Sequence, residues 1–185
     1  MIAFENVKEL EKILRESLIT QSELLPERVL NSLSLYGTQL DKKLSETRYG
    51  SIEQSDCLTL FELTSRDSTS DVSMTDKEDN DDNNITYYKA FRLRVIMYGD
   101  DSSDIALKIV ARFRTEEIRN HLYEQGVYLE RIGDPFILNE YKNETMWLRN
   151  DIEIDIAVKF KIAPITTDSD FNNISELNII QDKEE

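Results

Sequence analysis

Covalent or metal chemistry in this chain would have to pass through very few residues. There is one histidine, His121, and one cysteine, Cys57. A Ser-His-Asp triad or a two-histidine metal site would depend on that single imidazole, and one thiol excludes an intrachain disulfide or a multi-cysteine zinc site. His121 sits in Arg119-Asn120-His121-Leu122, late in a predicted helix, where the negative helix end favours a surface histidine. Cys57 opens a predicted strand and reads as a small core residue. Only five glycines occur, and no Gly-rich phosphate loop can be found. Asp100, Asp101 and Asp104 could gather a hard cation, but capping of the helix that follows accounts for them. Asp79-Asn80-Asp81-Asp82-Asn83 is similar to a calcium loop. Counted from Asp79, however, Asn84 stands where that loop needs glycine and Ala90 where it needs glutamate. The sequence is therefore read as that of a protein that is not an enzyme, with no catalytic residue, metal site or cofactor.

The chain has 185 residues, with 22 Lys and Arg against 37 Asp and Glu, a net charge of −15. That balance excludes a general nucleic-acid coat, which needs clustered cations, and docking on anionic membranes. No apolar run reaches the roughly 20 residues of a membrane helix, and Met1-Ile2-Ala3-Phe4-Glu5 has neither the basic nor the apolar part of a secretion signal. The acidity is local. Residues 65–85 and 163–185 each carry net −5, so two stretches hold −10 of the −15. The first lacks apolar residues to bury and reads as a flexible loop. The expected organisation is one domain over 1–163, with 65–85 as its flexible acidic tip, and an acidic C-terminal arm over 164–185.

The elements follow from apolar spacing. Phe4, Val7, Leu10, Ile13, Leu14 and Leu18 predict a helix from about 4 to 20. Pro26 predicts a second, short helix with Val29, Leu30, Leu33 and Leu35 inward and Gly37 at its end. Leu58–Leu63 and 86–98 read as two strands of a long hairpin. In the second, Phe91, Leu93, Val95 and Met97 share one face, and Arg92, Arg94 and Tyr98 the other. A capped helix begins after Asp104 or its neighbours and runs through Phe113, Ile118, Leu122 and Tyr123, kinked near Thr115 and stopped by Gly126. Val127–Ile132 is a strand, and a loop or short helical turn follows Pro135. Ile152, Ile154, Ile156, Val158, Phe160 and Ile162 alternate with polar residues in a long strand with one buried face. The expected fold class is α+β: N-terminal helices and a central helix packed on a mostly antiparallel sheet with a long β-hairpin.

One charged constellation emerges. Asp151, Glu153 and Asp155 share the strand face opposite the isoleucines, and Arg92 and Arg94 share the polar face of another strand. The two rows could meet as ordinary cross-strand pairs, or form a charged face of a ring or tube. Arg92 and Arg94 are expected to neutralise part of the acid and leave the rest unpaired.

The stretch from Tyr87 to Phe160 carries a resemblance. A strand leads to Tyr98-Gly99-Asp100, then to Ala106 in a helix, then to Leu122-Tyr123-Glu124-Gln125-Gly126-Val127. Met146-Trp147-Leu148-Arg149 then opens the long alternating strand. With the N-terminal helix, Glu23-Leu24-Leu25-Pro26 and Val29, this order over residues 1–162 resembles the neck and tail-terminator, or head-tail joining, proteins of tailed bacteriophages. The acidic loop and tail lie outside the pattern matched. The resemblance implies a structural virion protein of the neck or tail, assembled in the bacterial host cytoplasm. It implies a homo-oligomeric ring, a hexamer, between the head-connector (portal-side) proteins and the tail-tube proteins. Such a ring caps the tail tube and lets double-stranded DNA pass through its lumen without sequence-specific binding.

In that setting Asp151, Glu153 and Asp155 are expected to face the channel, since an acidic lumen repels DNA. Phe171, Ile174, Leu177, Ile179 and Ile180 are expected to be apolar anchors that contact another subunit or a neck protein. A different class, an acidic soluble inhibitor or DNA mimic that binds basic partners, stays open on charge alone. It needs an ordered acidic surface, whereas most of the excess lies in the loop and tail. Replacing residues 66–85 by a short turn should leave the melting temperature nearly unchanged, because loop length adds little closure entropy. A large loss of stability on this deletion would show that the loop is part of the fold.

Overall fold

The structure, a computed structural model, describes residues 3–32, 57–66, 85–142 and 145–162. Helix α1 spans Val7–Ser22. The Asn6 side chain caps it by accepting from the Glu9 amide at 3.1 Å, while the Glu9 carboxylate accepts from the Glu5 amide. Leu10, Leu14 and Leu18 form its fully buried stripe. Phe4 does not belong to this helix. It forms a parallel bridge to Phe160, with its amide bonded to the Lys159 carbonyl and its carbonyl to the Lys161 amide, each at 2.9 Å.

Glu23 ends α1 in the left-handed region, at φ 60°. Its carboxylate is ion-paired to Lys108 and Arg112 of the next helix, whose hydrogen bonds and charges pull its pKa down to about 2. The helix expected from Pro26 is a single 3-10 turn, Pro26–Arg28, followed at once by strand β1, Val29–Asn31. Arg15 of α1 holds this corner by donating to the carbonyls of Pro26 and Val29. Leu33, Leu35 and Gly37 lie outside the described residues.

Strands β2, Leu58–Ser65, and β3, Ile85–Tyr98, form the expected antiparallel hairpin. The segment expected as its flexible tip lies, but for a few flanking residues, outside the described residues. Helix α2, Ser102–Phe113, has Asp101 as its N-cap, though without the side-chain hydrogen bond that capping predicts. The expected kink is a full break. Thr115 is extended and caps a separate helix α3, Glu116–Glu124, and Gly126 follows at φ 85°.

Strand β4, Val127–Ile132, is followed by strand β5, Phe136–Lys142, and not by a loop or helical turn. Strand β6, Thr145–Ile162, runs back along both. The sheet order is β1-β2-β3-β6-β4, with β5 also on β6, and among the described strands only β1 and β2 run parallel. Among the described residues, three α-helices on a mostly antiparallel six-stranded sheet make the fold α+β.

One sheet face carries Phe91, Leu93, Val95 and Met97 of β3 and Ile152, Ile154, Ile156, Val158 and Phe160 of β6. All are buried against Leu10, Leu14 and Leu18 of α1, Ile109 and Phe113 of α2, and Leu122 of α3. Asn150 ends this face with a polar tie, donating to the hydroxyls of Ser102 and Ser103 at the start of α2 at 2.8 and 3.1 Å. Ile154 is fully buried at the centre. Ile154→Ala should cost about 2–5 kcal/mol, read as a lower urea midpoint. An unchanged midpoint would contradict this packing.

Candidate assembly surface

The opposite face of the sheet has no helix layer among the described residues. Its β1–β2 side is apolar: Leu58, Leu60, Ile96, Tyr98 and Trp147 form a second buried cluster with Leu30 against it. The middle is charged. The register sets Arg92 opposite Asp155 and Arg94 opposite Glu153. Asp151, fully buried, accepts from Arg94 Nη2 at 2.7 Å and from Arg149 through Nε and Nη2 at 2.7 and 2.6 Å. Asp155 accepts from Nε of Arg92 and of Arg131, each at 2.8 Å, with Arg66 at 3.8 Å. Glu153 lies 3.5 Å from Arg92. Arg149 also reaches Glu140 at 2.9 Å, and Glu140 accepts from the Tyr98 hydroxyl at 2.7 Å. Arg66 holds Glu130 at 2.9 Å.

The structure thus brings Asp151, Glu153 and Asp155 together, but the expected unpaired remainder is not there. Arg66, Arg92, Arg94, Arg131 and Arg149 match Glu130, Glu140, Asp151, Glu153 and Asp155, so the formal charges of this network cancel. Sequence reasoning missed Arg131 and Arg149. Arg149 lies on the same alternation as the aspartates and was legible. Arg131 was not, because a register shift between Leu129 and Arg131 turns it to the polar face while Ile132 pairs with Ile154. Gly133 donates to the Glu153 carbonyl at 2.8 Å, and a Cβ there would stand 2.9 Å from that oxygen. Farther along, Ala157 is small enough for Tyr88 and Tyr128 to meet across β6 at 5.7 Å, and Tyr123 of α3 closes on Tyr128 at 4.9 Å.

Burial alone would raise the Asp155 carboxyl. The hydrogen bonds from Arg92 and Arg131 and the nearby charges outweigh it and hold it below the usual carboxylate range. Arg92 and Arg149 are held charged in turn, chiefly by their aspartate partners. Cys57 is buried and its thiol is pushed up to about 12, as befits a core residue. His121 is exposed in the last turn of α3, with Gln125 at 3.1 Å. Asp101 caps α2, and among the described residues no three His, Cys, Asp or Glu side chains gather as metal ligands. Phe171, Ile174, Leu177, Ile179 and Ile180 lie outside the described residues.

The sheet is thus backed by helices on one face and carries a network of ion pairs on the other. The family model for phage neck terminator proteins matches residues 28–184. The chain belongs to this family, and is therefore a structural protein of the phage neck and of the virion. The match takes in the acidic loop and nearly all of the C-terminal segment, which the sequence pattern had left out, and omits α1. A comparison with curated proteins finds no match. Among the described residues no helix is long and apolar enough to cross a membrane.

The network has a pH signature. Because the Asp155 carboxyl is lowered in the fold, its stabilisation is present above the unfolded value of about 3.9 and is lost as pH falls through the folded value. Asp155→Asn should lower stability at neutral pH and flatten the acid limb of a melting-temperature profile below about pH 4. A variant profile parallel to wild type at every pH would remove this role.

Proposed function

We propose that the chain forms a closed sixfold ring between the head connector and the tail tube, capping the tube and joining it to the head while double-stranded DNA passes. Family membership carries this reading. A ring needs a contact in which two different patches of the same chain meet and the rotation closes. In this reading the face bearing Asp151, Glu153 and Asp155 is turned to the channel. Its carboxylates act by occupying arginines. A guanidinium already gripped by a carboxylate offers fewer donors to a passing phosphate, so DNA meets a hydrated face without net charge. The 164–185 arm, with Phe171, Ile174, Leu177, Ile179 and Ile180 as anchors, reaches a neighbouring subunit or neck protein and folds on contact. The acidic-inhibitor alternative has no observation in its favour once the family is known.

Solution mass with negative-stain imaging of the purified chain tests the ring directly, rings being the expected result. In assembled particles, Glu153→Lys should leave rings and tails normal and slow DNA release in a salt-sensitive way. Normal release would remove the channel assignment, and failure to assemble would move Glu153 to an interface. Truncation after Ala163 should leave a folded chain that assembles poorly. Infectious particles at normal titre from that truncation would sink the arm.

A further inference from the structure

The far end of the β5–β6 hairpin has no covering layer among the described residues. Strand β3 ends opposite Arg149, so the ladder of residues 145–148 is with residues 139–142, and this end is tied to the sheet by the Gly99 amide, which donates to the Leu148 carbonyl at 3.1 Å, and by buried Trp147. The helix layer stops near Asn150, where it is tied to α2. What projects beyond is a two-stranded ribbon, which is marginal in water on its own. A solvated ribbon would be polar, and this one is not. Phe136, Ile137, Leu138, Tyr141 and Met146 are 41, 63, 38, 67 and 59% exposed. They are five of the nine large hydrophobic side chains exposed among the described residues. Ile137, Tyr141 and Met146 continue the face that the helices bury farther along, and Phe136 and Leu138 lie on the other. Taking each side chain at roughly 200 Å², the exposures amount to on the order of 500 Å² of apolar surface. A standard interface takes about 800 Å² from each partner. Among the described residues strand β5 is also an edge that pairs only with β6, the kind of apolar edge that folded proteins cover.

We infer that this ribbon is the arm that seats one copy of the chain on the next, which rests on the ring reading above. Charge selects the occupant. Chains of net −15 repel one another wherever their acids meet, so a contact between identical copies is favoured at a patch whose charge is cancelled. The ribbon is such a patch. Its one described charged side chain, Glu140, is bonded to Arg149 and Tyr98. The ribbon of one copy meets a different surface of the next, so the contact propagates around a ring and does not close into a pair.

Sedimentation of the full chain, wild type against Ile137→Asp and Met146→Asp singly and together, tests this. Each substitution should raise the midpoint concentration of assembly roughly tenfold or more. Circular dichroism and melting temperature should not change, because neither side chain is in the core. A photoreactive phenylalanine analogue in place of Tyr141 should give cross-linked species of twice the chain mass, a readout that stands even where the double variant misfolds. Wild-type assemblies that persist in the folded variants would overturn the arm and leave the ring. Cross-links from position 141 in particles to a different virion protein would do the same. A wild-type chain monomeric at its highest soluble concentration would overturn ring and arm together.

Discussion

The pairing of β3 with β6 is the constraint on which everything else rests. The two strands run antiparallel without a break from Ile85–Ile162 to Tyr98–Arg149. Side chains alternate strictly along a strand, so this single register decides the fate of both faces. It sets Leu93 opposite Ile154 under the helices and Arg92 opposite Asp155 on the other side. A slip of one residue would drive arginine and aspartate into the apolar layer and turn isoleucine to the polar face. Both faces therefore specify the same alignment.

The ion-paired face sharpens that choice at an energetic cost. Asp151 is fully buried, and a buried carboxylate is tolerable only when charge and hydrogen bonds compensate it. For Asp151 compensation arrives from Arg94 of β3 and Arg149 of β6 itself, and for its neighbour Asp155 from Arg92 of β3 and Arg131 of β4. Replacing such a network with apolar residues is often neutral for stability, so its use here lies in alignment and in the surface it presents. Three strands are held in one relative position by groups that bond in only a few geometries.

The legible part of the fold was the part governed by one period. Ile152 through Phe160, Phe91 through Met97, and Leu10, Leu14 and Leu18 each repeat without interruption, and each lies where that repeat demands. What the sequence concealed lies where a period breaks. Val29 begins a strand directly after a 3-10 turn because it pairs in parallel with Thr59 of β2, and Arg15, 14 residues away in sequence, bonds the carbonyls of that corner. Phe136-Ile137-Leu138 does not alternate, since both of its faces are apolar and exposed, so nothing marked it as a strand. Arg131 joined the candidate site only through a one-residue bulge, which no pattern of types reveals. Arg149 was one alternation away from Asp151 and could have been found.

Phe4 has a mechanical meaning. Its two hydrogen bonds to the Lys159 carbonyl and the Lys161 amide lay the start of the described chain alongside its end, in parallel. Tension drawn between those two ends acts along the strand axis, in shear, where neighbouring bonds share the load and must give way together. The load then enters β6, which is anchored along its length by β3 on one side and by β4 and β5 on the other. Force of that kind loads the two Phe4 bonds together rather than one after the other.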